Sequence, residues 1–263
     1  MTTEEFSELK EEILRRAKEA SACREQYGRA YKAESMSELC AVLKDNFWWA
    51  VHNSVLDIPL LEKYREGFAE HDIFVNVSVE KGFLLCGNAT VEACGNATVE
   101  ACGNATVEAC GNATVEAYGN ATVKAWGNAT VEACGNATVE AYGNATVKAW
   151  GNATVEAWGN ATVEALGNAT VEAYGNATVE AWGNATVEAL GNATVRACDN
   201  ATVEAWGNAT VEACDNATVE AWGNAYVSSY VIVECKLSGN AIYRIRRDNI
   251  IRFASDSLKF EKI

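Results

Sequence analysis

From Gly87 to Trp222 the chain is seventeen consecutive octapeptides of the form GNATVEAx, with no insertion anywhere. Self-similarity at a fixed period means stacked units that share one continuous core, not a single globule. Two units begin with an acid in place of glycine, at Asp199 and Asp215, and three carry a base at the sixth position: Lys124, Lys148 and Arg196. The eighth position varies among Cys, Trp, Tyr and Leu. After Trp222 the pattern decays but keeps register as GNAYVSSY, VIVECKLS, GNAIYRIR and RDNIIRFA. A terminal repeat that drifts from consensus behaves as a cap.

Each unit reads as a short strand and a corner. Ala-Thr-Val-Glu-Ala alternates small apolar with polar residues, the pattern of a half-buried strand. Gly-Asn supplies a corner, because both residues tolerate positive φ. A helix would be interrupted by Gly-Asn every second turn. Hairpin pairing would bury opposite faces in alternate strands, whereas a parallel β-solenoid turns every Val and both flanking Ala residues toward one axis. The fold class is therefore α+β: an N-terminal helical cap followed by a parallel β-solenoid.

The number of octapeptides per coil rests on the variable positions. Identities at the eighth position are commoner at a spacing of 24 than of 16, and Lys124, Lys148 and Arg196 fall in one column at 24. Three strands and 24 residues per coil is the preferred reading, with two strands and 16 residues as the alternative. At 24 the columns include Glu92-Glu116-Glu140-Glu164-Glu188-Glu212, Glu108-Glu132-Glu156-Glu180-Glu204 and Trp158-Trp182-Trp206. A triangular coil leaves more interior volume than Ala and Val fill, so eighth-position aromatics would turn inward near the corners. Strict alternation points them outward.

Residues 1–72 carry no repeat and read as a helical cap domain; 73–263 form the solenoid, with an entry coil at 73–86, regular units at 87–222 and degenerate coils at 223–263. Thr3 before Glu4 and Glu5 marks a helix start. Ser35-Met36-Ser37-Glu38 fits a capping box that opens a helix through Leu39, Leu43, Phe47, Trp48 and Val51. Asp57-Ile58-Pro59 starts another through Leu60, Leu61, Tyr64 and Phe68. Ile73–Val79 alternates as a strand. The expected role of the helices is to cover the open end of the stack.

The ten cysteines first resemble a framework. Seven of them (Cys86, Cys94, Cys102, Cys110, Cys134, Cys198, Cys214) occupy eighth positions interchangeably with Trp, Tyr and Leu, as apolar fillers do. No CxxC pair is present, so neither a metal site nor a disulfide framework is expected. The asparagines of the Asn-Ala-Thr triplets are expected to stack as amide ladders, not to serve as glycosylation sites. His52 and His71 have no nucleophile motif around them, and near-identical repeats offer no convergent pocket. No catalytic residue, cofactor or metal is expected. No run of about 18 apolar residues occurs and the amino terminus lacks an apolar leader core, so a cytoplasmic location away from membranes is expected.

The net charge is −15, of which −13 lies in residues 87–222, −5 in 1–86 and +3 in 223–263. Strands stack about 4.8 Å apart. A 24-residue coil would set one net charge per roughly 2 Å of rod and a 16-residue coil one per roughly 3 Å, against one per about 1.7 Å in duplex DNA. The Glu columns are thus candidates for a surface that imitates nucleic acid toward a basic, nucleic-acid-binding protein, without binding nucleic acid itself. The competing functions are a passive or self-assembling rod, associating through the cap or the carboxyl-terminal end, and an aromatic platform for carbohydrate or protein built on Trp158, Trp182 and Trp206. An acidic coat would also simply keep solenoids apart.

The repeat resembles the hexapeptide- and pentapeptide-repeat β-solenoids, with a period of eight. The whole layout is similar to GNATVEA-type repeat proteins of gut bacteria and their phages. That likeness implies no catalytic residues. Some pentapeptide-repeat solenoids act as DNA mimics against DNA-handling enzymes, which implies an inhibitor of the counter-defence type.

Overall fold

The computed structural model describes residues 1–254. The part of the degenerate end at 255–263 lies outside them. Six helices come first: α1 (Thr3–Glu19), α2 (Arg24–Lys32), α3 (Met36–Asp45), α4 (Phe47–His52), α5 (Ile58–Lys63) and α6 (Arg65–Ala69). Then come β1 (Ile73–Val75), β2 (Val79–Cys86) and β3 (Thr90–Ala101), and a run of four-residue strands from β4 (Thr106–Ala109) to β21 (Ile242–Ile245). Among the described residues the last strand is β22 (Ile250–Phe253).

Each strand of the regular repeats pairs in parallel with the strand sixteen residues further on: Val139 with Val155 and Val155 with Val171, Val147 with Val163 and Val163 with Val179. The coil therefore holds two strands, and the preferred 24-residue reading is corrected to its 16-residue alternative. The physical reason is volume. In every regular unit from Ala97 onward the valine and both alanines are essentially inaccessible, and two sheets close on these small side chains at native density without help from the aromatics.

The corners turn at the first residue of the unit. The corner glycines have φ between +64° and +75°, and Asp199 and Asp215 keep that conformation at +58° and +55°. The carboxylate of Asp199 accepts from the Gly183 amide one rung back at 2.9 Å. Asn takes no positive φ in the repeat; it forms the expected ladder, each amide donating to the Asn sixteen residues earlier, as Asn152 does to Asn136 at 3.4 Å.

The ends differ from the middle. At the carboxyl side Tyr243 is buried in the core, its hydroxyl accepting from the Val233 amide at 2.9 Å. There β22 runs antiparallel to β21, which stops the parallel stack. At the amino side β1 pairs with β2, and β2 with β3. Register puts Ile73, Phe83 and Thr98 in one row and Val75, Leu85 and Glu100 in another. The outward Ile73, Val75, Phe83 and Leu85 join the helical core with Leu9, Leu39, Phe47, Leu61 and Phe68. The helices thus dock on the flank of the first rungs, where apolar residues replace Thr and Glu.

Local helix signals were partly displaced. The first helix is capped by Thr2, not Thr3, in a capping box with Glu5. Ser35 and Asp57 cap as expected. The second expected helix breaks at Asn46 and the third at Tyr64, and α2 had no cap signal because Cys23 precedes it. The strand expected over Ile73–Val79 is interrupted at Asn76, which turns at φ +50°.

A Cβ on Gly151 would sit 3.3 Å from the Gly135 carbonyl oxygen at φ +71°. Gly151→Val is expected to destabilise the rod by about 1–3 kcal/mol, while Gly151→Asp, which copies residue 199, costs clearly less. Thermal unfolding of both variants checks this; equal losses would show that the corner conformation is not the constraint.

Candidate interaction face

The two-strand coil gives the rod two broad faces, each with three outward rows: Thr, the sixth-position residue and the eighth-position residue. One face carries Glu92, Glu108, Lys124, Glu140, Glu156, Glu172, Glu188, Glu204 and Glu220 in successive rungs. The other carries Glu100, Glu116, Glu132, Lys148, Glu164, Glu180, Arg196 and Glu212. The columns expected at a spacing of 24 are therefore dissolved. Glu92, Glu108, Glu140, Glu156, Glu188 and Glu204 lie on the first face, and Glu116, Glu132, Glu164, Glu180 and Glu212 on the second. Glu172 and Glu220, absent from the expected columns, complete an unbroken run of six carboxylates from Glu140 to Glu220.

The three bases do not share a column either. Lys124 belongs to the first face, and Lys148 and Arg196 to the second. Each stands between glutamates on the rungs above and below. Lys124 reaches Glu140 and Lys148 reaches Glu164, both at 3.4 Å, and the Arg196 guanidinium lies over the Trp182 ring, 5.2 Å from its centroid. At the carboxyl end Lys236 pairs with Glu220 at 2.6 Å, and Arg246 with Glu212. Like charges in register repel, and these cations relieve the rows locally.

The eighth-position side chains point outward along the edge of the face that holds the preceding Glu. Tyrosine hydroxyls show the direction: Tyr142 donates to Glu140 at 2.8 Å and Tyr174 to Glu172 at 2.5 Å. These bonds to carboxylates hold the Tyr142 phenol above its ordinary range and push that of Tyr174 up to about 12. The aromatics of the first face stack along the rod: Trp126 on Tyr142 at 4.3 Å, Trp158 on Tyr174 at 4.0 Å, and Trp206 on Trp222 at 4.2 Å, all within 14° of parallel. Tyr142 to Trp158 is a wider 6.4 Å step. Trp158 and Trp206 share this row, whereas Trp182 lies on the other face. The expected Trp158-Trp182-Trp206 platform is thus split. Stacked rings also cover much of one another's faces, the surfaces a sugar would need.

Register also overturns the reading of the cysteines. Sixteen-residue spacing brings eighth positions onto neighbouring rungs, and Cys94–Cys110 and Cys198–Cys214 are disulfides with Cα atoms 4.6 and 4.8 Å apart. Four cysteines read as fillers are therefore rung-to-rung cross-links. The grouping of Cys198, Cys214 and Asp215 has the close spacing of metal ligands, but its two sulfurs are bonded to each other and offer no thiolate.

On the second face the helices bury one carboxyl. Glu100 is 2% exposed, and its Oε2 has no hydrogen-bond partner. His52, at the end of α4, places Nδ1 3.8 Å from Glu100 Oε1 while donating to the Trp48 carbonyl at 2.9 Å, and its ring meets Tyr118 edge-on. Cys102 donates to Glu100 at 3.8 Å, and Tyr118 to Glu116 at 2.6 Å. Burial, with the Glu116 carboxylate adding to it, pushes Glu100 up to about 8, and burial raises Glu116 too. The cluster sits where flank docking ends. Sequence reasoning missed it because all repeat glutamates look alike.

Among the described residues no helix is long and apolar enough to cross a membrane. No family model matches the chain, and comparison with curated proteins and with solved structures yields no match either.

Two outcomes follow from these contacts. A carboxyl whose folded value is raised stabilises while protonated, so its contribution is complete below the ordinary value of 4.5 and is lost as pH rises through about 8. The thermal midpoint of the helical part, followed by helical circular dichroism, should fall across that window and flatten in Glu100→Gln; identical pH profiles would contradict this. In denaturant without reductant, six of the ten cysteines should alkylate, and all ten after reduction, as read by mass spectrometry.

Proposed function

We propose that the protein is a non-enzymatic interaction rod whose Glu92 face occupies a basic, nucleic-acid-binding surface on another protein and blocks it. The observation that carries this reading is the six-rung run Glu140–Glu220, in line on one sheet and interrupted by no base. From Glu92 to Glu220 that row holds eight carboxylates and one lysine, whereas the opposite row holds six carboxylates and two bases, with Glu100 buried. The two-strand coil spreads the charge to one per roughly 3 Å of rod, and to one per about 4.8 Å within the row. Duplex DNA is denser, and a single backbone strand at about 3.4 Å per phosphate is the nearer comparison. The rod thus imitates one strand's line of charge.

A regular parallel ladder suits this role because the carboxylates are held at fixed spacing by the backbone and need little ordering on contact. An inhibitor of DNA-handling proteins, acting in the cytoplasm in a phage or bacterial counter-defence setting, is the biological reading. In a reducing compartment the two disulfides would open to thiols that still pack between rungs. A passive rod remains the second reading, favoured by the antiparallel stop at β22 and the Asn ladders, which serve stacking alone.

Substitution of Glu156, Glu172, Glu188 and Glu204 together by Gln should weaken binding to a basic DNA-binding domain at least tenfold. The matched set Glu132, Glu164, Glu180 and Glu212 should leave it nearly unchanged. Wild-type binding should fall steeply between about 50 and 200 mM salt and be displaced by added nucleic acid. Affinities equal in both variants, or insensitive to salt, would leave the passive rod.

A further inference from the structure

The aromatic row of the Glu92 face has one break. Trp158 and Tyr174 form one stacked pair and Trp206 and Trp222 another, and Leu190 stands between them. Because each pair stacks along the rod, the ring faces of Tyr174 and Trp206 that lie away from their stacking partners are directed toward the Leu190 rung. They are two rungs apart, about 9.6 Å, which leaves room above the short Leu190 side chain for a flat group some 3.4 Å thick. Beside the notch run Glu172, Glu188 and Glu204. Glu172 accepts from Tyr174; the carboxylates of Glu188 and Glu204 make no hydrogen bond or ion pair among the described residues.

The chain itself shows what such a place accepts. At the same height on the opposite face, a small residue, Cys198, follows Trp182 in the eighth-position row, and the Arg196 guanidinium lies over the half-buried Trp182 ring, in register with Glu180 and Glu212 on the neighbouring rungs but without an ion pair to either. A planar cation satisfies both demands at once: it stacks on an aromatic face and donates in-plane hydrogen bonds to carboxylates. A compact ammonium meets only the second.

We propose that the notch formed by Tyr174, Leu190 and Trp206, with the carboxylates of Glu188 and Glu204, is a guanidinium-binding site that selects an arginine-rich segment of a partner protein over a lysine-rich one. This rests on the proposed role of the Glu92 face and adds the chemistry of its partner.

The test uses the full chain with two peptides of about ten residues, one of arginine and one of lysine, each long enough to span the six-rung row. The arginine peptide should bind about fivefold or more tightly than the lysine peptide and should change tryptophan fluorescence. Leu190→Trp closes the row with a residue that other rungs already carry, so the fold is kept, as circular dichroism would verify. It should bring the ratio close to one while lysine-peptide affinity stays. Glu188→Gln should weaken both peptides. Equal affinities in the wild type, or a ratio that survives Leu190→Trp, would overturn the notch while leaving the acidic face intact. Binding of neither peptide would overturn both.

Discussion

Everything in the rod depends on the backbone hydrogen bonds that tie each strand to the one sixteen residues further on. Once that register is set, the interior of the regular rungs is a thin double layer of Val and Ala, and larger side chains such as Leu84 and Tyr243 enter it only at the two ends. The consequence is a division of labour within eight residues. The third, fifth and seventh positions close the core, the first and second make the corner, the fourth stands outward as Thr, and the sixth and eighth vary most in chemistry. Variation at those two positions, with Asp199 and Asp215 at the corners, gives the rod its surface individuality.

A row of like charges at rung spacing opposes the stacking that creates it. The structure offsets that repulsion with different contacts at different heights. Lys124 and Lys148 pair with glutamates on the next rung, tyrosine hydroxyls donate to Glu116, Glu140 and Glu172, and Lys236 and Arg246 neutralise the carboxyl end. At the amino end one carboxyl, Glu100, is buried, and it meets burial by favouring its protonated form. Between Glu156 and Glu220 these devices thin out, so the least compensated carboxylates lie together on one face, beside the only gap in its aromatic row between Trp126 and Trp222.

Stacking, strand positions, the inward Val and Ala and the amide ladder were legible in the repeat, because each follows from alternation and from a fixed period. The coil size was misread because the eighth-position side chains point outward and need not match their neighbours on adjacent rungs. A better signal was present. At 24 residues Lys124 would stand directly against Lys148, whereas at 16 every base has a glutamate on both sides. The same spacing brings Cys94 to Cys110 and Cys198 to Cys214, which the filler reading passed over. Glu100 and His52 were not legible, since their roles arise from helices docking on the flank. The sequence pattern for that docking, Phe83 and Leu85 in rows otherwise Thr and Glu, becomes readable only once register is known.

Cross-linking across rungs tests the central claim, the sixteen-residue register, most directly. In the double variant Trp158→Cys with Tyr174→Cys, mild oxidation should join the two new residues, as peptide mapping by mass spectrometry would show. In Trp158→Cys with Trp182→Cys, the pair lies on opposite faces and should stay unjoined. The reverse result, a bond at a spacing of 24 and none at 16, would contradict the two-strand coil and with it the single acidic face.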